Sequence, residues 1–215
     1  MKNQPLHSRL NHSSGSLFVL STKSTGIIAA VAVGLAAAAR PYAQKMSSGG
    51  LLISMGALQC GWLGANLAIS FLEAPIKFLA PTPARRSLID VGRHVFSAFN
   101  KVEVILAAFD LLGWYLLTQR SLVAPLPTSA APGLLGQLKM GWRQWLRFSP
   151  GLIVFVFESF TFLPVMRGVG ARFIEGQPVE KNNRAHVVYV ALEAIKVATL
   201  AASTASIGQA LLQLI

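Results

Sequence analysis

The sequence predicts an all-α membrane protein: a bundle of four transmembrane helices with an interfacial amphipathic helix between spans two and three. Three observations predict it. The 215 residues are 53% hydrophobic and only 13% charged, against about 25% charged in soluble domains, and the mean hydropathy is +0.53. Four apolar runs come near or exceed the length, about 20 residues, that crosses a bilayer. Asp110, Glu158 and Glu193 fall one each inside three of those runs, where a charge costs roughly 2.5–3.5 kcal/mol. Three acids at that cost, in a chain with only eight, point to a polar bundle interior.

Residues 1–45 stand apart from the membrane domain, 46–215. They are Ser-rich and basic and contain no acid; Glu73 is the first acid in the chain. An Ala-rich run, Gly26 to Ala39, is short for a crossing. Three readings fit: a signal or transit leader, a weak extra helix, or an upstream extension of a protein that starts at Met46.

The first clear span runs from Leu51 to about Leu72 without a charge until Glu73. Ala74-Pro75 and Pro81-Thr-Pro83 break it, and Arg85, Arg86 and Arg93 mark the water side. The second is about Val102 to Leu117, with a possible start at Val95; Trp114 and Tyr115 at its far end suit an interface. Residues 121–133 hold three prolines and form a loop. From Gly133 to Phe148, Leu134, Leu135, Leu138, Trp142, Trp145 and Leu146 share one helical face, and Lys139, Arg143 and Arg147 form a stripe. That pattern fits a helix lying in the headgroup plane against anionic lipid, or an N-terminal extension of the next span. The third span is about Ser149 to Val165, and the fourth begins near His186 and reaches toward Ile215.

Lys and Arg counts set the orientation. With four spans, the loops joining spans one to two and three to four carry nine, the other side four without residues 1–45, and the sides tie if that leader is retained. A fifth span at 26–39 gives twelve against six. Both asymmetric cases put those two loops inside and the C-terminus outside.

Polar residues recur at helical spacing in every span. They are Gln59, Asn66, Ser70, Glu73 and Lys77; Asn100, Glu103 and Asp110; Glu158 and Thr161; and His186, Tyr189, Glu193, Lys196 and Ser203. Lipid cannot satisfy such faces, so they turn toward one another. Counting about 1.5 Å per residue from each span's start places Asp110 and Lys196 about 12–13 Å deep, Glu193 about 9 Å, and Glu103 near the boundary with Glu73, Lys77 and Lys101. The deep set then has three carboxylates against Lys196 alone. The surplus must carry protons, hold a cation or face water. Plainer roles compete: a structural Glu193–Lys196 pair, and Glu158 as a protonated donor locking helices. Small residues at Gly56, Cys60 and Gly64, at Ala57, Gly61 and Ala65, and at Ala194, Ala198, Ala202 and Ser206 allow close helix packing.

Several classes of function find no support. The net charge is +11, but the basic residues lie in the connections, so no nucleic-acid partner is expected. The lone Cys60 excludes an internal disulfide and is expected to be a buried, inert thiol. His94 and His186 fall on the same side and read as interfacial histidines rather than metal or haem ligands, since no CxxC, ExxH or HExxH spacing accompanies them. No Gly-rich phosphate loop or GxSxG motif occurs. No enzyme activity and no cofactor is expected.

Short motifs give a resemblance. Gly61-Trp62-Leu63-Gly64, then Phe71-Leu72-Glu73-Ala74-Pro75-Ile76-Lys77-Phe78, Gly92-Arg93-His94-Val95-Phe96 and Arg184-Ala185-His186 resemble a family of small four-span integral membrane proteins of unknown function. That family includes the transmembrane protein associated with cisplatin resistance. The resemblance covers roughly residues 50–205 and implies a four-helix membrane fold with no catalytic residues; the chain departs from the pattern at Glu73 and in its N-terminal extension.

The expected function is therefore a small transport or permeation component. Its proton- or cation-binding polar core would comprise Asp110, Glu158, Glu193, Lys196, Asn66 and Glu73. The alternative is a non-catalytic assembly or scaffold subunit, with helix partners or a second copy on its small-residue faces. A bacterial inner membrane or a eukaryotic organellar or endomembrane would house it.

Overall fold

The structure is a computed structural model that describes residues 18–123, 150–177 and 184–212. Among these residues there are five long helices and no strand. Helix α1 is Thr22–Lys45. Helix α2, Ser48–Leu79, is α-helical over Ser48–Asn66 and π-helical over Leu67–Glu73. Helix α3 is Arg85–Val123. Helix α4 covers 150–174, with a π segment at Glu158–Phe162, and α5 is Arg184–Leu212. Four of them, α1, α2, α4 and α5, are long and apolar enough to cross a membrane. The stretch 133–148, with Lys139, Arg143 and Arg147, lies outside the described residues.

Helices α2, α3, α4 and α5 close a ring, each packed on two neighbours, and α1 lies outside it along α3. The ring's members contain the four stretches expected as spans, but α3, which holds the second, about Val102 to Leu117, is not among the four helices apolar enough to cross, and α1 takes that place. Contacts set their directions. Gln59 meets Asp110 and Trp62 meets Glu103, so α2 runs against α3. Lys101 reaches the carbonyl of Val19 and Arg40 reaches Tyr115, so α1 runs parallel to α3.

Local chemistry explains the helix ends. Ser21 caps α1 by accepting from the Lys23 N–H, and Ser47 caps α2 by accepting from that of Gly50. The C-terminal carbonyls of α1 are collected by Arg120, whose guanidinium donates to Ala43 (3.2 Å), Gln44 (3.3 Å) and Met46 (2.8 Å). A cation there also suits the helix dipole. Arg120→Met is expected to cost about 1–2 kcal/mol and to speed amide exchange at residues 40–46; unchanged exchange there would show that Arg120 does not hold α1.

Both π segments end just before a proline. The Ala74 N–H bonds Ile69 and that of Leu163 bonds Glu158, five residues back in each case. Pro75 and Pro164 lack an N–H and crowd the preceding turn, and the wider turn relieves that crowding. It also turns Glu158 and Ser159, adjacent in sequence, both inward.

The bundle is polar inside and apolar outside. Fifteen polar or charged side chains are buried among the described residues, whereas Ile53, Leu72, Val102, Ile153, Val156 and Ile195 point outward. A lipid surround explains the arrangement. Buried apolar residues form two clusters in succession along the bundle: Trp62, Val104, Ala108, Phe155 and Leu200 in one, Leu51, Met55, Trp114, Leu116 and Ile207 in the other. Gly113 makes room for the Met55 side chain of α2, since a Cβ there would fall 2.6 Å from Met55 Sδ.

Three expectations are corrected. Cys60 is exposed, because Gln59 and Trp62 take the inward face of α2. Ala194, Ala198 and Ala202 face outward, because Glu193, Lys196 and Ser203 take that of α5. Trp114 is buried beside Asp110 rather than interfacial; only Tyr115 is exposed, under Arg40.

Candidate functional site: a lysine held by three glutamates

Lys196 is fully buried at the centre of the ring. Its Nζ lies 2.8 Å from Glu158 Oε2, 2.9 Å from Glu103 Oε1 and 3.2 Å from Glu193 Oε2. An ammonium has three N–H donors, and three helices each offer it one carboxylate. Helix α2 closes the fourth side: Trp62 Nε1 donates to Glu103 Oε1 at 2.9 Å. Tyr189, one turn before Glu193, donates its hydroxyl to Glu193 Oε1 at 2.7 Å.

Fully ionised, the group would carry a net charge of −2. Coulombic attraction in a dry interior is strong, but so is the cost of burying each charge. Around this group the unmet hydrogen-bonding capacity lies on acceptors. Glu158 Oε1, Gln59 Oε1, Asn66 Oδ1 and Asn100 Oδ1 are buried without a partner among the described residues. All are oxygens, while the amide nitrogens of the same Gln and Asn residues are engaged with Asp110, the Trp62 carbonyl and Ser159. This part of the core holds more acceptors than donors.

Asp110 forms a second, separate site two turns along α3. It accepts from Gln59 Nε2 at 2.8 Å and lies beside the Trp114 indole. Gln59→Leu is expected to cost about 1–3 kcal/mol by stranding that carboxylate; Asp110→Leu in the same background should restore much of it. A double-mutant cycle showing no coupling would refute the pairing.

Of the six residues expected in the polar core, Glu158, Glu193 and Lys196 meet directly. Asp110 is buried apart from them. Asn66 is buried and donates to the Trp62 carbonyl at 3.0 Å. Glu73 does not belong to the core: its side chain is 36% exposed and pairs with Lys77 on its own helix, because the π segment and Pro75 carry it past the end of the ring. Glu103, Trp62 and Tyr189 complete the site. The depth estimate put Glu103 at the boundary by starting the span at Val102, whereas a start at Val95 sets it about 12 Å deep, level with Lys196.

His94 Nδ1 sits 2.9 Å from the Asp90 carbonyl, outside this core, and His186 is exposed. No group of three His, Cys, Asp or Glu among the described residues could hold a metal ion.

Ring, apolar exterior and charged centre together define a polytopic helical membrane protein. No family model matches the chain, and no curated protein or solved structure matches it.

Proposed function

We propose that this protein is a small membrane transport or permeation component whose buried Glu103–Glu158–Glu193–Lys196 group takes up and releases protons. The observation that carries this reading is Glu158 Oε1, a buried carboxylate oxygen without a donor in a cluster of three carboxylates and one ammonium. Lys196 already occupies the place a metal cation would take, so a proton is the neutralising species that fits. Glu158 also opens the π segment, the kind of helix irregularity that recurs at functional sites.

Infrared spectroscopy of the protein in lipid bilayers tests the reading. We expect a protonated carboxyl band at neutral pH that titrates and is absent in Glu158→Gln, and that persists in Asp110→Asn. If no protonated band exists at neutral pH, the proton reading is wrong. The cluster would then be a structural lock, as the assembly-subunit alternative requires.

A further inference from the structure

A second polar cluster lies at the end of the bundle where α1 begins, and its chemistry is opposite. Arg93, Ser97 and Lys101 follow one another at intervals of four on α3, on one helical face. Arg167 of α4 faces them. It donates from Nε to Ser97 Oγ at 2.8 Å and from a terminal nitrogen to Thr22 Oγ1 at 3.4 Å, at the first turn of α1. Ser97, Lys101 and Arg167 are 0%, 7% and 7% exposed.

Among the described residues, Lys101 and Arg167 meet only neutral oxygen, whereas Arg93 also reaches the half-exposed Asp90 carboxylate at 3.3 Å. Lys101 donates to the carbonyls of Val19 and Ser97. Neither Lys101 nor Arg167 forms an ion pair with a described carboxylate, and Arg167 lies close enough to Lys101 and to Arg93 for their charges to repel. The other terminal nitrogen of Arg167 is buried without a partner, as is Arg93 Nε. Gly170 makes room for the latter: a Cβ there would sit 2.6 Å from Arg93 Cδ and 3.4 Å from Nε. Of the nearby acids, Asp90 offsets Arg93 alone and also lies against His94, and Glu103 is committed to Lys196 and Trp62, so Lys101 and Arg167 are left without a counter-charge among the described residues. The N-terminal end of the 24-residue α1 adds positive potential.

Buried like charges with unused donors are costly without a counter-charge. The guanidinium fork, ammonium and hydroxyl match the oxygens of a phosphate group, and helix N-termini favour the same ligand. We propose that Arg93, Lys101 and Arg167, with Ser97 and the first turn of α1, form a binding site for a phosphate group. Either a lipid phosphodiester from the adjacent leaflet or free inorganic phosphate presents that chemistry. The site is independent of the proton reading.

The test uses the full chain in a maltoside detergent, which carries no phosphate group, and follows thermal unfolding. One arm titrates inorganic phosphate at constant ionic strength. The other titrates phosphatidylglycerol into the micelles, without inorganic phosphate. Arg167→Gln and Lys101→Met are expected to weaken the response at least about tenfold, and Arg85→Gln, an exposed charge at the same end, to leave it intact. A response to phosphate assigns a free anion; a response to phosphatidylglycerol alone assigns a lipid. No response in either arm, or one that both charge variants retain, overturns the site. Should both variants fail to fold, Ser97→Ala takes their place, and an unchanged response in it overturns the site equally.

Discussion

Lys196→Met is expected to be the most damaging single substitution in this chain. It leaves Glu103, Glu158 and Glu193 facing one another with no counter-ion. Removing one partner of a buried ion pair costs about 3–5 kcal/mol, which is a large fraction of a typical stability of about 5–15 kcal/mol. The loss is not one of packing, since Met fills nearly the same volume. The diagnostic is rescue: Lys196→Met with Glu158→Gln and Glu193→Gln should recover most of the lost stability, because neutral amides replace uncompensated charges. Thermal unfolding in nanodiscs reads both. A single variant within 1 kcal/mol of wild type, at the low end of about 1 kcal/mol per hydrogen bond, would mean that the ammonium does not organise the core.

The second large effect belongs to Trp62, where the polar layer and an apolar cluster meet. Its ring is fully buried, edge-on to Phe155 at 5.5 Å and 84°, and its N–H supports Glu103. Trp62→Ala is expected to cost about 3–5 kcal/mol through the cavity alone, with a stranded carboxylate in addition. Trp62→Phe keeps most of the packing and loses only the donor, for about 1–3 kcal/mol. Equal destabilisation by Ala and Phe would place the whole effect in the indole N–H; a harmless Phe would place it in the ring.

The sequence carried the ring of four helices and its inward faces, because polar residues that lipid cannot satisfy leave a clear helical rhythm. Glu158, Glu193 and Lys196 were legible as deep charges for the same reason. Their grouping was not. Depth counted along one helix depends on where that helix enters, and the start of α3 was ambiguous by seven residues, enough to send Glu103 to the wrong layer. Cys60 and the Ala194–Ala198–Ala202 stripe show a second limit. Small residues permit close packing but do not demand it, whereas a buried charge demands a partner, so the polar face of each helix decided its orientation. Neither the pairing of Trp62 with Glu103 nor the attachment of α1 to α3 has a local signature, because both join residues far apart in the chain.

The docking of α1 has a consequence for how the protein is made. Its partners are Tyr115 and Arg120 at one end and Lys101 and Arg167 at the other, and its main neighbour is α3 rather than the α2 that follows it directly. A ribosome delivers α1 first and Arg120 some 75 residues later. Throughout that interval α1 has no docking surface and must wait in the bilayer or in the insertion machinery. Its wholly uncharged stretch from Gly26 to Ala39 suits it to wait there, and its few polar anchors engage only once the more polar α3 has arrived beside it.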